Sequence, residues 1–353
     1  MRFAIRTRHL MLLPLLLGAA VLLSSCAGLR SSRPGGGRDR PTCPLCGLPT
    51  TSERLLHRPL AVMIENHHRA QPQSGLDRAC IVYEAPVEGG ISRFMALYLH
   101  EDAPKLGPIR SARPYFIAWA LEYHAAYIHC GQSIGAAILL KNLQVPHLDE
   151  MQHPQPFHRD HARRAPHNLY SSTTDLRSAV KAEGWDYSAV PPRAFADKVS
   201  ATGAGATGTP ATGVEVRFPG DYWLSYTYDP TRGRYRRFME GKPHRDAQSG
   251  RQLTARTVIL QYVETRPSEE GKGILDLWIL GSGQADVCGG GQRIAARWTK
   301  TSVERGTAFT DVAGRPLALP PGPVWIIAVP TTSRVEWSGT TPPRQPDGRR
   351  AEP

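Results

Sequence analysis

Leu60-Ala-Val-Met-Ile64, Cys80-Ile-Val-Tyr83 and Phe94-Met-Ala-Leu-Tyr-Leu99 are the runs on which the fold turns. Each is short and apolar, as expected of a strand covered on both faces. Pro114 to Tyr123 (PYFIAWALEY) instead spaces its apolar residues as a helix does, with Ser111 as the expected N-cap. Ala125–His129 reads as a further strand, Ala136–Leu143 as a helix and Ser172–Gly184 as a capped helix. Strands alternating with helices predict an α/β N-terminal domain over 56–200, a mixed sheet with flanking helices.

Beyond it the pattern changes. Ala201–Gly213 (ATGAGATGTPATG) has neither charge nor large side chains and reads as a linker, 201–213. Val214–Phe218, Trp223–Tyr228, Tyr235–Met239, Thr257–Val263, Leu275–Leu280, Arg293–Trp298 and Val324–Val329 are β-rich runs divided by turn-forming stretches. They predict a smaller antiparallel all-β C-terminal domain over 214–330, followed by a polar, disordered tail over 331–353.

At the other end, Arg2, Arg6 and Arg8 precede an apolar run of 14 residues, Leu10–Leu23. That run is too short to span a bilayer, which takes about 20 residues, and suits the core of a signal peptide, 1–25. Leu23-Ser-Ser-Cys26 places small residues before a cysteine, as a lipoprotein peptidase requires. It resembles the bacterial lipobox, which implies lipidation at Cys26, with acyl chains such as palmitate holding the protein on a membrane. Residues 26–55 are then the anchor and a flexible tether. The expected address is extracytoplasmic, on the outer face of the cytoplasmic membrane or on the outer membrane of a two-membrane organism.

The formal charge of +12 falls to +9 once the three leader arginines are removed. Arginine-rich, lysine-poor composition beside abundant Ala, Gly and Pro is a genomic bias, and an exported address excludes nucleic acid as the expected partner. Five cysteines remain besides Cys26: Cys43, Cys46, Cys80, Cys130 and Cys288. Cys43-Pro-Leu-Cys46 has metal-knuckle or redox spacing, but a structural zinc site takes four ligands and no second C-x-x-C exists. His57, His67 and His68 would have to fold back. The expectation there is a disulfide or two unpaired thiols, with no metal and no cofactor. His158 and His161 lie in a proline-rich stretch and read as surface residues.

Two helix starts could carry chemistry. Gly107-Pro-Ile-Arg110-Ser111-Ala-Arg113-Pro114 sets two arginines beside backbone N–H groups, an arrangement that attracts anions. Pairing of both arginines with Glu84, Glu88 or Glu122 is the competing reading. Gly131-Gln-Ser133-Ile-Gly135 matches the G-x-S-x-G nucleophile elbow, with Asp149 and His167 downstream in Ser…Asp…His order. No oxyanion loop lies upstream, so Ser133 reads better as a helix cap.

Pro59-Leu-Ala-Val-Met-Ile-Glu-Asn66, Arg69-x-Gln-Pro72-Gln-Ser-Gly75, Ile81-Val-Tyr-Glu84-Ala-Pro-Val-Glu88-Gly-Gly-Ile-Ser-Arg93, Arg163-Arg-Ala-Pro-His167-Asn168 and Tyr235-x-Arg-x-x-x-x-Gly241-x-Pro-His244-x-Asp246 together resemble the YerB-like lipoprotein family. Gly281-Ser-Gly283, Trp298-x-Lys300 and Gly322-Pro-Val-Trp325 continue the match, which runs from about Cys43 to Pro330. The resemblance implies an extracytoplasmic two-domain lipoprotein of unestablished activity. Cys43 and Cys46 depart from the family's N-P-L-T-G-L-P opening, and Gly135 from its turn, which weakens the hydrolase reading. His158 and His161 also fall on positions that the family fills with other residues.

The expected function is binding of an anionic cell-envelope ligand or a protein partner, with Arg93, Arg110, Arg113, Gly131, Ser133, His167 and Asn168 lining the cleft. The alternative is an envelope hydrolase using Glu84 or Glu88 with His167, or Ser133 as nucleophile. A plain scaffold is the third reading.

Overall fold

A computed structural model describes residues 41–196 and 208–339, with the backbone of Ser200–Ala201 between them. The leader, Cys26 and the first part of the expected tether lie outside the described residues, as do 202–207 of the expected linker and 340–353 of the tail.

The apolar runs of the first half become β1 (Leu60–Glu65), β2 (Ile81–Pro86) and β3 (Ser92–Tyr98). They are followed by α1 (Pro114–Leu121), β4 (Ala126–His129), α2 (Ile134–Asn142), β5 (His147–Asp149) and α3 (Thr173–Ala182). Both α2 and α3 begin on serine caps: Ser133 accepts from the Ala136 amide and Ser172 from that of Asp175. Helix α1 corrects the expected cap at Ser111. It starts at Pro114, whose fixed φ suits the first helical position and whose missing N–H costs nothing there.

In the second half lie β6 (Gly213–Arg217), β7 (Trp223–Asp229), β8 (Arg234–Met239), β9 (Thr257–Pro267), β10 (Gly281–Gly289), β11 (Gln292–Lys300), β12 (Ala308–Asp311), β13 (Val324–Pro330) and β14 (Arg334–Ser338). Strand β14 corrects the disordered tail expected from residue 331 onward. It pairs with β6 from Arg217↔Arg334 to Gly213↔Ser338 and so satisfies its backbone within the sheet.

The strands sort into sheets that ignore the division into halves. One twelve-stranded sheet runs β12-β11-β10-β9-β13-β2-β3-β1-β4-β5 along its main path. Its seam is β2 against β13, parallel from Ile81↔Val324 to Glu84↔Ile327. A second, six-stranded antiparallel sheet holds β8, β7, β6 and β14. The class is therefore a mixed α/β half followed by a strand-rich, mostly antiparallel half. The two halves expected as separate domains share this large sheet, and the described residues from Pro41 to Gly339 belong to one compact unit.

Alternate residues of the central strands face opposite cores. Ala61, Met63, Ile81, Tyr83, Val324 and Ile326 join α1 and α2 on one side. Leu60, Val62, Ile64, Val82, Trp325 and Ile327 meet α3 and the second sheet on the other. Covering on both faces explains why these strands read as continuous apolar runs rather than alternating ones.

The expected tether also ends earlier than residue 55. Cys43, Leu45 and Cys46 are fully buried, and the Gly47 amide closes the knuckle onto the Cys43 carbonyl at 2.7 Å. Gly47 has φ +69°, and a Cβ there would lie 2.8 Å from the Phe195 ring, so both the turn and the packing call for glycine.

Candidate functional site

The arginines expected to line an anion cleft are held by internal carboxylates. Arg93, on β3, donates to Glu88 at 3.0 Å and to the Ser111 carbonyl at 2.9 Å. Arg113, just before α1, also bonds Glu88, through both Nε and Nη2. Burial would raise the Glu88 pKa, but the two guanidinium groups outweigh it and hold the carboxyl below its usual range. Arg110 meets Glu65 at 2.7 Å, and the same Glu65 oxygen lies 2.9 Å from His167 Nδ1. His167 stacks on His67 at 4.9 Å, and Asn168 accepts from Arg159 at 3.3 Å. Five predicted residues thus gather in two clusters, Arg93 and Arg113 around Glu88 and Arg110 and His167 around Glu65, and each of these arginines is paired with an acid.

The remaining predicted residues have structural places. Gly131 supplies the positive-φ turn after β4, and Ser133 caps α2. The N-terminus of α2 already holds an anion: Glu270 accepts from the Ile134 and Gly135 amides at 2.8 and 2.7 Å. No hydrogen bond among the described residues joins Ser133 to His167 or to Asp149, which instead accepts from the Gly131 amide. Glu84 is fully buried against Arg237, Ser92 and Tyr222, where neither substrate nor water reaches it. Glu84 thus lies in a buried ion pair and Ser133 in a helix cap, with no catalytic partner of the expected kind among the described residues, and Gly131 serves the turn before that helix.

Two features were missed. The first is a cluster of three thiols and an imidazole. Cys43 and Cys46 come from the knuckle, Cys80 directly precedes β2, and His100 follows β3 by two residues. The four candidate donor atoms lie within 4.8 Å of one another, and His57, His67 and His68 are not among them. Hydrogen bonds from Cys46 and Cys80 pull the Cys43 thiol far below its ordinary value. Burial would lower His100, but its bonds to Cys43 and Cys46 prevail and push it up to about 11. The cluster thus favours a thiolate. Only Cys43-x-x-Cys46 was visible in sequence, because Cys80 and His100 are delivered by the ends of neighbouring strands.

The second is a cleft of about 810 Å³ where the two halves meet. The first half contributes Asp77, Arg78, His100 and Glu101, and the second Arg232, Arg234, Arg236, Arg251 and Thr254. Arg251 pairs with Asp77 at 2.6 Å, Arg78 with Glu101 at 3.0 Å and Arg232 with Asp229 at 3.1 Å. Arg234 and Arg236 form no ion pair among the described residues, and Arg236 Nε is buried without a hydrogen-bond partner. The sequence signal was Arg232-Gly-Arg234-Tyr-Arg236-Arg237, in which alternate residues share one face of a strand.

Comparison with known proteins places this architecture. Residues 45–186 match the model for the N-terminal domain of the family described as "Protein of unknown function (DUF3048)", and residues 214–326 match that family's C-terminal domain. A Bacillus subtilis (strain 168) protein named "Putative lipoprotein YerB" is 28% identical over 293 residues, covering 81% of this chain and 86% of its own. The crystal structure of YerB from Bacillus subtilis superposes with a TM-score of 0.75 at 26% identity, covering 84% of this chain and all of that one. The chain belongs to the DUF3048 family.

Proposed function

We propose that this DUF3048 protein is an extracytoplasmic lipoprotein, anchored through Cys26, that binds an anionic cell-envelope ligand in the arginine cleft between its halves. One observation carries the binding reading: five arginines line the cleft against two acids, and Arg234 and Arg236 have no acidic partner there. A guanidinium whose donors are not spent internally is available to a phosphate or carboxylate, each charge-assisted bond contributing about 1.5–3 kcal/mol. The site thus moves from the expected N-terminal cleft, whose arginines are already paired. The hydrolase reading finds no support in the placement of Glu84 or Ser133.

The anchor rests on the lipobox and on the lipoprotein name of the Bacillus relative. No helix among the described residues is long and apolar enough to cross a membrane. Cys26→Ala should abolish fatty-acid incorporation while leaving the folded domain intact, and labelling that persisted would remove Cys26 as the anchor.

Binding is tested by titrating the protein with phosphate- and carboxylate-bearing envelope polymers at rising salt. Salt-sensitive binding, weakened at least tenfold in Arg234→Ala/Arg236→Ala, supports the cleft. Binding unchanged in a folded double variant would place the ligand elsewhere, and no binding by the parent protein would end the proposal.

A further inference from the structure

The Cys43–Cys46 knuckle, Cys80 and His100 meet at separations within about 0.6 Å of tetrahedral edges in the three closest pairs, Cys80–His100 being the short one. With Zn–S near 2.3 Å and Zn–N near 2.05 Å, a regular tetrahedron has edges of about 3.8 Å between sulfurs and about 3.6 Å between sulfur and nitrogen. The structure has Cys43 Sγ to Cys80 Sγ at 3.8 Å, Cys46 Sγ to His100 Nδ1 at 3.4 Å and Cys80 Sγ to His100 Nδ1 at 3.0 Å. A disulfide needs sulfurs about 2.05 Å apart, and one bridge among three cysteines would strand the third beside the imidazole.

We propose that Cys43, Cys46, Cys80 and His100 bind one zinc ion, in a closed structural site that ties the N-terminal knuckle to the ends of β2 and β3. Three thiolates and an imidazole that gives up its Nδ1 proton on metal binding form a Cys₃His set, which completes four-coordinate zinc and leaves no position for substrate. All three cysteines are fully buried, and the partly buried His100 closes the site on the side of the cleft. His100 offers Nδ1 to the metal, while its Nε2 lies 3.6 Å from Glu101 Oε1. That is the outer-shell carboxylate that fixes a ligand's tautomer and ring orientation. Glu101 is in turn held by Arg78 at 3.0 Å. Because His100 also lines the arginine cleft, the metal would fix one wall of that cleft without taking part in binding there.

The knuckle has a mechanical need for such a tie. Residues 41–49 precede the first sheet strand and make few backbone bonds beyond their own turn, among them Gly322 N–H to the Cys46 carbonyl at 2.8 Å. A metal linking the knuckle to residues 80 and 100 closes two long loops and restricts the unfolded chain more than a local turn can.

The test uses the full-length protein, extracted in detergent from zinc-supplemented cells and purified without chelator. Elemental analysis should find one zinc per chain, and Cys46→Ser or Cys80→Ser should abolish it. Cys288→Ser, a buried cysteine outside the cluster, should keep it. Cobalt exchanged into the parent protein should give the visible absorption of a tetrahedral site with thiolate charge transfer. This measurement stands even where a cysteine variant does not fold. Glu101→Gln should weaken zinc retention against a competing chelator by about 10- to 100-fold. A metal-free, folded parent protein would overturn the proposal. So would a disulfide among Cys43, Cys46 and Cys80 in non-reducing peptide maps, an iron–sulfur spectrum in place of zinc, or full zinc content in folded Cys46→Ser and Cys80→Ser.

Discussion

Glu84 Oε2 lies 2.9 Å from Arg237 Nη2, with both side chains wholly buried and the two residues on different sheets from opposite halves of the chain. Arg237 Nη1 also donates to Tyr226 at 2.8 Å, and the guanidinium sits 4.6 Å from the Trp325 ring centroid. Its Nε donates to His244 Nδ1 at 3.0 Å, which puts the histidine proton on Nε2, facing Gln73 Oε1 at 2.7 Å. On the other face of the large sheet, Lys300 meets Glu122 at 2.8 Å, again across the halves. Burying such charges is tolerable only when their hydrogen bonds are met, and these networks meet most of them from both halves.

Arg237→Ala should destabilise the protein by about 3–5 kcal/mol, because it strands the Glu84 carboxylate without its charge partner. Adding Glu84→Gln should recover part of that loss. Urea denaturation of the three variants checks this, and a single variant as stable as the parent would show the pair to be idle.

Arg113→Ala should lower the melting temperature while leaving anion affinity nearly unchanged. Its guanidinium bonds Glu88 and the Ala112 carbonyl and has little left for a ligand. Thermal shift with and without phosphate separates the outcomes. A still-folded variant that had lost anion-dependent stabilisation would return the binding site to the Arg93–Arg113 cluster.

Proteolysis within 201–213 should nick the chain without parting it. The seam between β2 and β13, the Glu84–Arg237 pair and the Lys300–Glu122 pair all join the halves. Size-exclusion chromatography of the nicked protein should show one particle. Two separately eluting folded fragments would contradict the shared sheet.

Acidification should weaken the fold well before most carboxylates titrate. Burial drives His129 down to about 4 and His244 well below its ordinary 6.5, so both are neutral in the folded state at pH 6. The unfolded chain takes up those protons as pH falls below about 6.5 and the folded chain does not. Stability is thus present at neutral pH and lost on acidification. The slope approaches about 1.4 kcal/mol per pH unit for each such histidine. Urea midpoints at pH 7 and pH 5 measure it, and His129→Gln should flatten the dependence. A variant with the parent's slope would remove His129 from the account.

Much of the secondary structure was legible because local chemistry specifies it. Ser172 and Ser133 cap helices wherever the chain runs next, Pro114 starts one, and Leu60–Ile64 cannot lie anywhere but in a core. Strand β14 escaped notice because Arg334-Val-Glu-Trp-Ser338 is short and polar, and only its partner β6 makes it a strand.

Much of the resemblance, too, was read from residues whose role could not be. Glu84, Arg237, His244 and Lys300 look chemical as letters, since carboxylate, guanidinium, imidazole and ammonium are what active sites use. Whether such groups act or merely bond depends on what covers them, and that is settled by how the sheets stack.

By itself the sequence determined the α/β half, the strand-rich half and the turn and cap residues, since each depends on neighbours within a few positions. Only the tertiary structure decided that β13 adds to β2 and fuses the halves, that Glu88 and Glu65 occupy the expected anion-binding arginines, and that Cys80 and His100 complete the Cys43–Cys46 knuckle. The physical reason is range. Propensity and periodicity act over one turn or one strand. Charge pairing and ligand convergence also join residues as far as 178 positions apart, which no local pattern encodes.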